Sequence, residues 1–285
     1  MSIASSENTA VLPRPLPATQ PSAALGNWLA NAGTKLTLAA VGLLLPLALL
    51  ALWQHAVDKH WLAVQILPPP KLVWESLLDL WQAGDLQSHL AISLSRIGWS
   101  CLIGIGGGLV LGLSIGLSRT VKAYVYPTFE VVSQFPVVGW IPLLIIFVGI
   151  DEALKISAIS LAVIVPVTVH TYKGIANIPR SLLDVARVYR YSFAQVVWRV
   201  VLPSALPSLF SGIRQGVMQA WLSLVFVELL ASSEGIGYLM VWGRQLLQLD
   251  LVIVGMIVIG AVGVVLDLSL RLIESRLQTW RRGAF

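Results

Sequence analysis

Residues 91–117 read AISLSRIGWSCLIGIGGGLVLGLSIGL. From Gly98 onward the run carries no charged side chain. A helix needs about 20 apolar residues to cross the hydrocarbon core of a bilayer, and this run supplies them. Gly104, Gly108, Gly112 and Gly116 recur every four residues, so a helix places them on one face. A face without side chains lets a neighbouring backbone approach closely, which is how helices associate in lipid. Gly106 and Gly107 widen that smooth surface. A phosphate-cradling G-x-G-x-x-G turn fails here, because Leu109 stands at the last glycine position and no strand precedes it.

Outward from this helix the pattern repeats. Apolar runs fall near 36–55, 137–150, 155–176, 208–231 and 250–273. With 91–117 they predict an all-α integral membrane protein of about six transmembrane helices. The run at 137–150 is the shortest and contains Pro142; the polar-flecked stretch 121–135 either extends it or lies along the interface. Residues 71–88, after Pro68-Pro69-Pro70, have the pattern of an amphipathic surface helix. Composition agrees: 56% of residues are hydrophobic, 12% are charged, and mean hydropathy is +0.81. A soluble domain carries about 25% charged residues, so this chain lacks the polar side chains to cover a water-facing surface.

The net charge of +5 follows the expected topology and does not require a nucleic-acid partner. With both termini on the cytoplasmic side, fourteen of the 19 Lys and Arg residues fall inside and five outside, as the positive-inside rule requires. Residues 1–35, rich in Pro, Ala, Ser and Thr, read as a flexible cytoplasmic tail. Residues 36–280 read as the transmembrane domain, including the polar loop 177–207, and 281–285 as a cytoplasmic end. The apolar run starting near Leu36 is too long and too late for a cleaved signal and is expected to remain as a span. Trp28, Trp53, Trp61 and Trp81 suit the membrane interfaces.

Chemistry-bearing patterns are sparse. Cys101 is the single cysteine, and the four histidines show no metal-ligand spacing. There is no G-x-x-x-x-G-K-[ST] phosphate loop and no nucleophile–base arrangement. No cofactor, metal, catalytic residue or ATPase of its own is expected. Ionisable groups inside spans are costly and therefore suspects for function. Glu130, His170, Glu228 and Asp267 qualify. Glu228, near the outer end of the fifth span, either lines a pathway or pairs with a neighbouring helix. Asp267 is placed to pair with Arg271 at i, i+4.

One long polar interruption remains, residues 177–207, NIPRSLLDVARVYRYSFAQVVWRVVLPSALP. It is the most basic loop, and two short helices fit it. The first spans about 180–189, with Leu182, Leu183, Ala186 and Tyr189 at helical spacing. The second starts at Ser192, where Ser192 and Gln195 form a capping pattern, and is expected to end near Val201 before Pro203. The residues alone leave two readings open: a helix docked on a partner protein, or an amphipathic loop resting on the membrane.

Asp184-Val185-Ala186, followed at the right distance by Val200-Val201-Leu202-Pro203, resembles the "EAA" loop of binding-protein-dependent ABC permeases. The resemblance extends over about residues 36–280. It includes Ile66 to Pro70, His89 to Arg96, Phe147 to Ile156 and Ser233 to Tyr238, and within the family it is similar to the subgroup importing aliphatic sulfonates, taurine, nitrate and related anions. It implies the type I ABC importer permease fold in a bacterial inner membrane. It also implies a second permease copy, two copies of an ATP-binding subunit and a periplasmic substrate-binding protein. Asp184, Ala186, Arg190, Leu202 and Pro203 then belong to the loop that couples to the ATPase. Two residues depart from the pattern: Asp184 stands for the usual Glu, and Arg190 for the usual Gly. If that turn needs a positive φ, Arg there costs roughly 1 kcal/mol that Gly does not. The competing classes are an ion-coupled secondary transporter, which would show internal repeats, and a membrane enzyme, which would show clustered catalytic groups.

Overall fold

The computed structural model describes residues 41–42 and 44–277. The expected tail 1–35, the first residues of the first expected span and the C-terminal end 281–285 lie outside the described residues. The described chain divides at residues 61 and 62. Before the division, α1 (Leu44–Asp58) is a short apolar helix. It closes in a turn with His60 at φ 53° and the His55 and Trp61 rings edge to face at 5.9 Å.

After the division come α2 (Pro70–Ala83), α3 (Asp85–Leu117), α4 (Arg119–Val132), α5 (Val137–Val148) and α6 (Glu152–Ala176). There follow α7 (Arg180–Val188), α8 (Phe193–Val196), α9 (Leu202–Ala231), α10 (Ile236–Gln245) and α11 (Leu249–Leu277). No strand occurs among the described residues. Helices α3, α6, the continuous run Phe193–Ala231 and most of α11 are long and apolar enough to cross a bilayer. Pro70 opens α2, where its missing N–H is an orphan anyway.

Three expectations are corrected. The stretch 71–88 is not one helix: it breaks at Gly84, whose φ of 85° caps α2 and hands the chain to α3. The expected span at 137–150 is α5, which has 12 residues and rises only about 18 Å, short of the roughly 30 Å core. It pairs with α4, which covers most of the stretch 121–135 that the sequence left either to extend this span or to lie along the interface; the two axes are bent by 99° across a break at 133–136. Pro136 caps α5 in extended backbone and disfavours a helical conformation in its predecessor, which favours the break there. The helix beginning at Ser192 does not stop before Pro203. A π turn over Val197–Val201 carries it on into α9, with Leu202 N–H donating five residues back to Val197 O. Pro203 follows directly after the π turn, at the second residue of α9, so the proline that lacks an N–H sits where the helix passes from the wider register back to the α register.

Helix α6 packs between α3 and α9. The main core cluster gathers Ile97 from α3, Ile141 from α5, Ile159, Val163 and Val167 from α6, and Trp221, Leu224 and Val227 from α9. Trp221 Nε1 donates to Ile259 O at 3.2 Å and ties α11 to α9. A second cluster, Ile175, Ile178, Val201, Ala205 and Leu209, joins the end of α6 to the start of α9.

The glycine ladder faces α6. A Cβ added to Gly104 would stand 2.5 Å from Val163 Cβ, on Gly108 2.7 Å from Val167 Cβ, on Gly112 2.6 Å from Thr171 Cβ, and on Gly116 2.6 Å from Ile175 Cδ1. Hydroxyls reinforce the seam: Ser100 donates to Ile156 O at 3.2 Å, Ser160 to Ser100 O at 3.3 Å, and Thr168 to Gly108 O at 3.2 Å. Gly106 lies off the seam, with nothing near its added Cβ.

Candidate coupling face and buried charge network

Helix α7 and the turn after it carry the five residues assigned to coupling by resemblance. Tyr191 N–H donates to Ala186 O at 3.0 Å, and Arg190 N–H to Arg187 O at 2.9 Å. This is a Schellman C-cap, whose penultimate residue takes left-handed backbone. Here that residue is Arg190, at φ 51°. The turn therefore keeps the positive φ that suits glycine and holds an arginine in it. Ser192 then caps α8 reciprocally: Gln195 N–H donates to Ser192 Oγ at 3.4 Å, and Ser192 N–H to Gln195 Oε1 at 2.8 Å.

The faces of α7 divide differently from the stripe read in the sequence. Ala186 is only 2% exposed, and Leu183 packs on the cluster around Ile175 and Val201. Leu182, Val185, Val188 and Tyr189 are exposed, Val188 at 81%, and Phe193 and Trp198 extend the apolar surface. Two apolar stripes run along one short helix. One attaches it to the bundle and the other has no cover, and spacing alone does not separate them. Asp184 is exposed and pairs with Arg187 at 3.1 Å. Leu202 and Pro203 lie at the start of α9 beyond the π turn.

At the opposite end of α6, charges converge in the core. Arg96 is 2% exposed and Glu228 1%. Arg96 Nη1 donates to Glu228 Oε1 at 2.8 Å and to Glu234 O at 2.8 Å. Arg96 Nε and Nη2 grip both oxygens of Glu152 at 2.8 and 2.6 Å, and Lys155 Nζ reaches Glu152 Oε1 at 2.6 Å. Ser93 Oγ donates to Glu228 Oε1 at 2.8 Å and Gly237 N–H to Glu228 Oε2 at 2.8 Å. Ser93 Oγ also accepts from Ile236 N–H at 3.1 Å, and His89 Nδ1 accepts from Gly235 N–H at 3.0 Å. Glu228 and Arg96 thus fasten α3, α6, α9 and the 232–237 turn together. Gly235, at φ 105°, is required: an added Cβ would collide with the Glu228 carboxylate.

A second ion cluster sits lower in the bundle. Arg214 pairs with Asp267 at 2.6 Å and Glu274 at 3.1 Å, and Asp267 also meets Arg271 at 2.8 Å. The Asp267–Arg271 pairing was readable from spacing; Arg214, on another helix, was not. Glu130 accepts from Tyr126 on an exposed face of α4. His170 Nε2 lies 2.7 Å from Gln215 Oε1. No group of three or more His, Cys, Asp and Glu side chains arranged to hold a metal occurs among the described residues.

Glycine-seamed helices long and apolar enough to cross a bilayer, ion pairs buried between them and a short helix between two of them make this a membrane-spanning helical bundle. The chain belongs to the family described as binding-protein-dependent transport system inner membrane component, which matches residues 104–279. It is 36% identical over 240 residues to a putative aliphatic sulfonates transport permease protein, SsuC, of Bacillus subtilis, covering 84% of this chain and 87% of that one. The SsuC of Escherichia coli is 37% identical over 83% of this chain and 90% of its own length. The taurine transport system permease protein TauC of Escherichia coli is 33% identical over 81% and 86%. Among solved structures, an amino acid ABC transporter matches with a TM-score of 0.61 at 16% identity, over 70% of this chain and 97% of its own. The MetNI methionine ABC transporter matches at 0.52 and 18% identity, over 72% and 98%. The fold is that of a type I ABC importer permease, and such permeases work with an ATP-binding subunit.

Proposed function

We propose that the chain forms the inner-membrane pathway for a small organic anion, an aliphatic sulfonate, and that α7 receives the force of an ATP-binding subunit. The observation that carries the coupling role is the uncovered apolar face of Leu182, Val185, Val188 and Tyr189, held by a Schellman cap and flanked by Asp184. Exposed apolar patches of this kind mark protein contacts. The anchored stripe of Ala186 and Leu183 ties α7 to the end of α6 and the start of α9, so displacement of α7 is passed to membrane helices. The basic asymmetry supports an orientation with α7 and both termini cytoplasmic. Two permease copies would enclose the pathway, two ATP-binding subunits would dock on their α7 faces, and a periplasmic binding protein would deliver substrate.

The sulfonate reading rests on the SsuC relatives, and taurine, itself an aminosulfonate, is the second reading on the strength of TauC. Co-expression with candidate ATP-binding and binding-protein genes, followed by uptake of ethanesulfonate with taurine and nitrate as competitors, separates them. Uptake suppressed by taurine at far lower concentration than by ethanesulfonate would replace the first reading with the second. Co-purification with the ATP-binding subunit tests docking. Val185→Glu plus Val188→Glu is expected to abolish retention, and unchanged retention would remove α7 as the docking surface. Ala186 is unsuitable for this test, because its burial makes Ala186→Glu a folding defect.

A further inference from the structure

The polar residues around the α4–α5 break belong neither to the α7 face nor to the Arg96 network. A cleft of about 440 Å³ opens there. The break contributes Ser133 and Gln134, α6 contributes His170 and Lys173, and α9 contributes Gln215 and Gln219. In so apolar a chain, six polar side chains from three segments around one cleft require explanation. Gln134, Lys173, Gln215 and Gln219 are exposed on the single chain; polar groups on membrane-spanning helices face a protein interior or a water-filled path, and broken helices recur where substrates bind in membranes.

The charge of the lining has one sign. No carboxylate lines the cleft. The basic side chains Arg96, Lys155 and Arg214, outside the cleft lining, are all neutralised by carboxylates. Lys173 makes no salt bridge among the described residues. Its place in the last turn of α6 suits the helix C-terminus, but that role needs neither a cleft nor amides. Gln134, Gln215 and Gln219 each carry two N–H donors, and the His170–Gln215 contact occupies only the Gln215 carbonyl when Nε2–H donates. At about 30 Å³ of liquid volume per water, the cleft has room for a small anion that keeps part of its hydration shell.

We propose that this cleft is a binding station for a small oxyanion, with Lys173 as its counter-charge and the glutamine N–H groups donating to its oxygens, Gln215 being oriented for this by His170. Resting on the anion-permease reading above, the inference places part of substrate selection within the permease itself. Nitrate, sulfate and the sulfonate headgroup share the chemistry that would be recognised.

The test uses the full chain in lipid nanodiscs, with Cys101→Ser as background and Val169→Cys, in the cleft wall, as reporter. Modification rates are compared for anionic sulfonatoethyl and cationic trimethylammonioethyl methanethiosulfonate. The expected anionic-to-cationic rate ratio falls by about tenfold on Lys173→Glu, since residue 173 lies one helical turn from residue 169 on α6, inside a Debye length. Millimolar ethanesulfonate is expected to slow modification with Lys173 or Lys173→Arg, and to lose that effect with Lys173→Gln. Ser133→Cys serves as a second reporter should Val169→Cys not fold. Protection by nitrate or sulfate alone, with the same Lys173 dependence, supports the site and counts against sulfonate as the cargo. A rate ratio unmoved by Lys173→Glu, or ethanesulfonate protection that survives Lys173→Gln, overturns the site and leaves the transport reading to the uptake assay.

Discussion

Replacing Arg96 with methionine removes the cation that faces Glu228 in the core. Glu228 is 1% exposed, so its charge has no access to water. It keeps two donors, Ser93 Oγ and Gly237 N–H, both at 2.8 Å. Two neutral donors do not replace a guanidinium, and stripping one partner from a buried pair costs about 3–5 kcal/mol. Glu152 also loses its bidentate grip, but it is half exposed and retains Lys155, so that loss adds little. The opposite change, Glu228→Gln, leaves Arg96 held by Glu152 through Nε and Nη2. The amide oxygen still accepts from Arg96 and Ser93, while its NH2 meets the Gly237 N–H and loses that bond. A charged hydrogen bond lost in this way costs about 1.5–3 kcal/mol. Arg96→Met is therefore expected to destabilise by about 1–2 kcal/mol more than Glu228→Gln. The double variant should recover part of the Arg96→Met loss, because the orphaned carboxylate is gone. Unfolding in mixed micelles, followed by tryptophan fluorescence, measures all three. Glu228→Gln as harmful as Arg96→Met, or strict additivity in the double variant, would refute the reasoning.

Three further outcomes are expected. Gly108→Ala puts a methyl 2.7 Å from Val167 Cβ and forces α3 from α6, costing about 1–3 kcal/mol, whereas Gly106→Ala meets nothing and leaves the unfolding midpoint unchanged or higher. Arg190→Gly relieves left-handed strain at φ 51° and raises stability by up to about 1 kcal/mol in the same assay. Val188→Glu, on an 81% exposed side chain, leaves the unfolding midpoint within the range of ordinary surface changes, about 0.5 kcal/mol, yet weakens co-purification with the ATP-binding subunit.

The apolar runs at 155–176 and 250–273 were legible because length and hydropathy report membrane burial directly, and α6 and α11 lie over them. What stayed hidden has particular causes. The Glu228–Arg96 pair joins residues 132 apart in sequence, and a lone in-span carboxylate or a lone helix-end arginine carries no signal of its partner. The π turn arises from fitting Pro203 into a helix that tertiary packing continues, whereas local rules stop the helix there. On α7, apolar periodicity fits Leu183 with Ala186 and Leu182 with Val185 alike. Only attachment to Ile175 and Val201 decides which stripe faces inward. The cleft at the α4–α5 break draws on three segments, and its Gln215 and Gln219 on α9 have no charge to draw attention.

One half of the α3–α6 seam is the glycine ladder; its other half is written at the same period. The glycines meet Val163, Val167, Thr171 and Ile175, all β-branched and spaced by four. In lipid the helices gain nothing from excluding water, so close packing must exceed the cost of ordering. Glycine has no side chain to order, and in a helix Val and Ile are already confined to about one χ1 rotamer and Thr to two. Bringing the two faces together therefore freezes almost no side-chain freedom, while each added Cβ position is filled by the opposing helix instead. The Gly108 carbonyl accepting from Thr168, and the Ser160–Ser100 and Ser100–Ile156 bonds, fix the register of that contact. A seam of this kind has one good register and no soft alternatives. It joins α3 and α6 along their length, from the charge network at one end to the cluster that anchors α7 at the other.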